Sequence, residues 1–146
     1  MLESHIIQPS VPRSDSIRSK LAELAWEEGL SAFVTNQVPF SFSCGRVLAE
    51  ALSHLVRGLA EDSDEVVVME LGAGIGYLSN YCLDVLAESD PVTYKKSRFL
   101  VSDGQPEVVA DAKRLGVLSG HGTRANFAVA DLRDLDSILA EAPRLL

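Results

Sequence analysis

Cysteine is nearly absent from this chain: Cys44 and Cys82 are the only two in 146 residues. Two thiols make no disulfide framework, so a reducing compartment is expected, with the cytoplasm as the default. Histidine is equally sparse, and His5, His54 and His121 lie too far apart for metal-ligand spacing, so no metal site is expected. Basic residues are few, with 13 Lys and Arg against 21 Asp and Glu and a formal net charge of −8. That balance argues against general binding to nucleic acid or to an anionic membrane, since both need Lys and Arg to offset phosphate charge. It leaves room for a local basic patch. No uninterrupted apolar run reaches membrane-spanning length, and the amino terminus lacks the basic-then-apolar order of a signal peptide. Glu3 and sparse arginine also speak against a transit peptide.

What is present suits one compact α/β domain. The chain is 47% hydrophobic and 23% charged, enough for one ordinary core and not for two. Residues 1 to about 13, with Pro9 and Pro12, read as a loose arm. Ser14 or Ser16 can cap a first helix with Ile17, Leu21, Leu24 and Ala25 at helical spacing and Gly29 as its stop. Phe33 to Phe42 has no clear period. In a second helix, Val47, Leu48, Leu52, Leu55, Val56 and Leu59 form one apolar face. Glu61 to Glu65 is an acidic loop into a first strand, and Leu78 to Leu86 a helix ended by Ser89-Asp90-Pro91. A further helix runs from Pro106 to about Leu115, and a last short one from Leu135 to Ala142. The expected division is 1–64 for arm and helices, and 65–146 for the α/β part.

The densest signal is Val66-Val67-Val68-Met69-Glu70-Leu71-Gly72-Ala73-Gly74-Ile75-Gly76-Tyr77. It reads as a buried strand that ends near an acid, turns through glycines and opens into a helix. Glycines at such a turn let backbone N–H groups approach a ligand with no Cβ in the way. The dinucleotide fingerprint G-x-G-x-x-G wants a third glycine at position 77, where this chain has Tyr77. Two further apolar strands also end in acids, Arg98 to Asp103 and Asn126 to Asp131. The acid at the second tip can accept both ribose hydroxyls of a cofactor, or it can start the helix at Pro106.

Glu70 two places before Gly72, the Gly-x-Gly-x-Gly spacing, and the ordered acids Asp103 and Asp131 resemble class I S-adenosylmethionine-dependent methyltransferases. The resemblance covers Val66 to about Leu132, the N-terminal half of such a domain. It implies a three-layer, Rossmann-like half-fold with parallel strands in the order 3-2-1, crossover helices between them and helices ahead of them. It also implies a site for S-adenosyl-L-methionine. Gly72, Ala73, Gly74 and Gly76 would pass beneath the methionine part, and Glu70 would hold its ammonium group. Asp103 would take the ribose, and Asp131 with the backbone of Leu132 the adenine. The helix from Ser43 to Glu50 is similar to one in the MidA-like family, although that pattern favours Pro where this chain has Ala73. Gly74-Ile75-Gly76-Tyr77 also looks like protein-L-isoaspartate methyltransferases.

In that order the first strand would be an open apolar edge, which soluble proteins cover or pair. A second copy of the chain, an N-terminal helix or an absent C-terminal half would protect it. Acceptor-binding residues of such enzymes commonly follow a fourth strand, so no catalytic residue is nominated. The implied activity is methyl transfer to an unidentified acceptor, a protein or a small molecule. The alternatives are a non-catalytic module for assembly or dimerisation and an NAD(P)-dependent oxidoreductase. Phe40, Phe42 and Tyr77 read as ordinary core, His54 as exposed, Cys44 as a buried thiol, and Lys95, Lys96 and Arg98 as a solvated rim.

Overall fold

A computed structural model describes residues 8–27, 45–134, 136, 138 and 139 of the chain. The chain divides into two units, Met1–Val38 and Pro39–Leu146. In the first, a 3₁₀ turn at Arg13–Asp15 leads into α1, Ile17–Glu27. Ser16 starts that helix: its Oγ accepts the Ser19 N–H at 3.1 Å, and Gln8 Oε1 accepts the Ile17 N–H at 2.8 Å. Ile17, Leu21 and Leu24 are exposed on this helix. The expected stop at Gly29 and the segment Phe33 to Phe42, with Phe40 and Phe42, lie outside the described residues, as does Cys44.

The second unit is α/β. Its elements run α2 (Arg46–Glu61), β1 (Val66–Leu71), α3 (Tyr77–Ser89), α4 (Pro91–Lys96), β2 (Ser97–Asp103), α5 (Pro106–Leu115), a 3₁₀ stretch at Ser119–Arg124, and β3 (Ala125–Val129). β2 lies between β1 and β3, and both pairs are parallel. Val66 pairs with Ser97 and Glu70 with Val101, while Phe99 pairs with Ala125 and Asp103 with Val129. Side chains alternate between the two faces, as the strand period requires. Val66, Val68, Phe99, Val101, Ala125 and Phe127 join the main core, whereas Met69, Leu100 and Ala128 form a smaller cluster. Apolar residues on both faces are the mark of a covered parallel sheet. No helix among the described residues is long and apolar enough to cross a membrane.

Three expectations are corrected here. Of the expected apolar face α2 buries Val56 and half-buries Leu52 against the core, and the rest of its buried face is Ala49, Ser53 and Ala60. Leu55 is 65% exposed, Leu59 63% and Val47 82%. Short side chains let α2 lie close against α3, which pushes the leucines to the flank of the contact. The segment after Asp90 does not simply end a helix; it begins α4. Asp90 Oδ1 accepts the Thr93 N–H at 3.1 Å and Pro91 occupies the first turn, where its missing N–H costs nothing. Lys96 is more than rim: its Nζ donates to the Ala60 carbonyl at 2.8 Å, satisfying an orphan acceptor in the last turn of α2. Arg98 pairs with Glu65 at 2.6 Å. Through these contacts α2 packs with the sheet, within the unit Pro39–Leu146. Of the last expected helix, Asp136, Ile138 and Leu139 are helical among the described residues; Ile138 is buried and its N–H donates to the Asp134 carbonyl at 3.3 Å.

Gly76 is the tightest joint of the fold. It stands at the N-cap of α3 with φ +80°, and a Cβ there would meet the Phe127 ring and Val101 Cγ1 at 3.0 Å. Left-handed strain and overpacking would act together in Gly76→Ala, with an expected loss of about 3 kcal/mol in urea unfolding. A loss below about 1 kcal/mol would mean that Phe127 yields without cost.

Candidate functional site at the strand tips

β1 hands over to α3 through three left-handed glycines, Gly72 at φ +71°, Gly74 at +58° and Gly76 at +80°. Residues with a Cβ adopt this conformation at a cost, so the sequence can turn so sharply only with glycine at these places. The turn is pinned to the neighbouring strand, with the Ala73 N–H donating to the Ser102 carbonyl at 2.9 Å. Ser102 Oγ donates to the Glu70 carbonyl at 3.1 Å, fastening the two tips a second time.

The carboxylates of Glu70 and Asp103 grip this turn from both sides. Gly76 has no side chain with which to cap α3. Glu70 does so instead: it accepts the Ser79 N–H at 3.2 Å and the Ser79 hydroxyl. Asp103 is buried, and its Oδ2 accepts the Gly74 N–H at 2.9 Å while Oδ1 accepts the Gln105 N–H at 3.0 Å. Asp103 therefore starts the turn into α5 and braces the glycine turn at once. Its own carbonyl accepts the Ala130 N–H at 2.9 Å, which ties in the tip of β3. One bond on each oxygen leaves Asp103 with acceptor capacity to spare.

Burial pushes the Glu70 carboxyl above its ordinary value, and the two bonds from Ser79 pull the other way. The chain thus keeps a half-buried acid at a helix N-terminus with hydrogen bonds and, among the described residues, no cation against it.

The expected site residues fall into two groups. Glu70, Gly72, Ala73, Gly74, Gly76 and Asp103 form one contiguous turn, and Leu132 comes over it: a Cβ on Gly72 would lie 3.5 Å from Leu132 Cδ1. Asp131 stands apart from the turn. Its two oxygens accept from Arg133 Nε at 2.9 and 3.0 Å, an exposed pair that holds the carboxyl down at about 2. Tyr77 opens α3 and stacks on Tyr81 with ring centroids 6.2 Å apart; at 37% exposure it is not the core residue expected.

Other groups gave no sequence signal. Ser79 reads as an ordinary helical serine until the fold sets it against Glu70. Cys82 is buried, and burial, with the Glu70 charge adding to it, pushes its thiol up to about 11. His121 lies among glycines and serine in sequence, yet it is buried. Its Nδ1 is 3.2 Å from the Tyr94 hydroxyl and its Nε2 3.5 Å from Asp84. Burial lowers its pKa and the Asp84 charge raises it, with burial the larger effect. This cluster ties α3, α4 and the 3₁₀ stretch together. His54 is exposed, as expected. Among the described residues no three His, Cys, Asp or Glu side chains converge as a metal site would need.

Comparison with protein-family models, with curated proteins and with solved structures finds no match for this chain.

The Glu70 environment makes a measurable statement. A carboxyl whose folded pKa is raised contributes most to stability below its unfolded value near 4.5 and loses that contribution as pH rises through the folded value. Carboxyl ¹³C titration is expected to place Glu70 above 4.5, and Ser79→Ala to move it higher by removing the hydroxyl bond. A midpoint at or below 4.5 would contradict the burial described.

Proposed function

We propose that this chain is an S-adenosylmethionine-binding methyltransferase domain, transferring a methyl group to an acceptor that its sequence does not name. The observation that carries the reading is the Glu70 carboxylate at the N-terminus of α3. In dinucleotide sites that helix end receives the pyrophosphate, drawn by free N–H groups and the positive end of the helix dipole. Here a carboxylate already takes the Ser79 N–H, so a phosphate would meet an anion. A cationic ligand group would meet the partner that Glu70 lacks. S-adenosylmethionine carries an ammonium and a sulfonium and has no phosphate, whereas NAD brings two phosphates. Charge thus separates the two cofactors where a glycine turn alone does not.

The three-stranded parallel sheet with its helices is compatible with a Rossmann-like half-fold, which this reading takes as the cofactor-binding half. In this reading Glu70 holds the ammonium, and Gly72, Ala73 and Gly74 pass beneath the methionine part, the two glycines offering backbone without Cβ atoms. Asp103 has spare lone pairs for the ribose hydroxyls, and the backbone of Leu132 would meet the adenine. The sulfonium supplies an electrophilic methyl carbon when the cofactor is bound. The work of these residues is to orient that group and exclude water around it, since in-line methyl transfer needs positioning more than proton transfer. Asp131, held by Arg133, would have to exchange that partner before accepting the adenine amino group.

Calorimetric titration checks the reading. S-adenosylhomocysteine is expected to bind saturably and NADH not at all. Glu70→Gln, which keeps the bond from Ser79 and loses the charge, is expected to weaken that binding at least about tenfold. Affinity should also fall as pH drops through the raised Glu70 value. Binding of NADH in its place would establish the oxidoreductase reading, and binding of neither ligand would leave a non-catalytic assembly module.

A further inference from the structure

Among the described residues β1 pairs with β2 alone, so its other side carries backbone N–H and C=O groups without ladder partners. Beside that edge runs an apolar cavity of about 360 Å³, walled by Leu52, Leu55 and Leu59 of α2, Val67 and Met69 of β1, and Leu78 of α3. Leu55 and Leu59 are nearly two-thirds exposed, and Val67 is 46% exposed. An unpaired strand edge next to uncovered leucines is an arrangement that soluble proteins cover.

We propose that this edge receives an extended segment of a partner protein as an added β-strand, apolar at alternate positions and basic at its ends. A strand is favoured over a helix because only an extended backbone can pair with the free groups of β1. Alternate apolar side chains would enter the cavity with the period of two that a strand imposes.

The charge at the two ends chooses the occupant. Where α2 turns into β1, Glu61, Asp62, Asp64 and Glu65 are all exposed; Glu65 is paired with Arg98. The other end of the cavity wall is Glu70, its one charged residue among those described. Basic side chains on an incoming strand meet opposite charge at both ends. A second copy does not. Antiparallel pairing of β1 with itself about a two-fold axis would set Glu61 to Glu65 of one copy against the Glu70 end of the other. That places like charges together in a chain of net charge −8. The proposal does not rest on the cofactor reading, although both call on Glu70; Asp62 and Asp64 lie at the end that the cofactor does not use, and their replacement tests the partner alone.

The probe is an acetylated, amidated decapeptide alternating valine and threonine between two lysines at each end, titrated by fluorescence anisotropy into the full chain. The control replaces the lysines with glutamates. Saturable binding of the lysine peptide is expected, with the glutamate peptide at least about tenfold weaker. Asp62→Asn with Asp64→Asn should weaken the lysine peptide without touching the apolar wall. Val67→Lys should abolish its binding, and circular dichroism checks that each variant stays folded. Amide shifts on titration should concentrate in Val67 to Leu71. No saturable binding, equal binding of both peptides, or dimers in sedimentation that Val67→Lys dissolves would each overturn the proposal, the last in favour of a second copy.

Discussion

Two carboxylates hold the glycine turn in place, and much else follows from that. Three left-handed glycines in five residues make a flexible link on their own, because glycine loses the most freedom on ordering. Glu70 fixes the helix side of the turn and Asp103 fixes its middle. The same Asp103 accepts from Gln105 and, through its carbonyl, from Ala130. The tips of all three strands are therefore coupled through one residue. Removing its carboxylate would free the half-buried N–H of Gly74 and loosen the entry to α5 together.

This coupling gives the strand tips a definite electrostatic character. Glycine turns ahead of helices commonly attract anions, because unpaired N–H groups and the helix dipole point at the ligand. Here the protein has supplied its own anion. Burial opposes the charge on Glu70 while the helix end and Ser79 support it, so the acid is held in tension. An incoming cation would relieve that tension, and an incoming phosphate would add to it.

Much of this architecture was legible in the sequence. The run from Val66 to Tyr77 announced a strand, a turn and a helix, and α5 spans Pro106–Leu115 as its periodicity and proline indicated. Local signals stopped at contacts made across the fold. The apolar stripe of α2 marked a helix and not its neighbour, since Ala49, Ser53 and Ala60 count for little in hydropathy and for much in close packing. Asp90-Pro91 carries both an end and a beginning, and only the end was read. Glu70 and Asp103 were recognised as acids at strand tips. Their bonds to Ser79 and Gly74 depend on where the chain returns, which no spacing records.

The parallel pairing of the strands has a consequence for how the chain reaches this structure. Each partner in the sheet lies a whole crossover away in sequence: Val66 meets Ser97, and Phe99 meets Ala125. No hairpin can seed such a sheet, so loop-closure entropy must be met before any ladder bond repays it. Helices α3 and α5 form locally and have to dock while the strands are still unpaired. β1, with Val66-Val67-Val68 at its start, is a sticky segment during that interval. The acids just ahead of it, from Glu61 to Glu65, are charges of the kind that flank aggregation-prone strands and oppose their association.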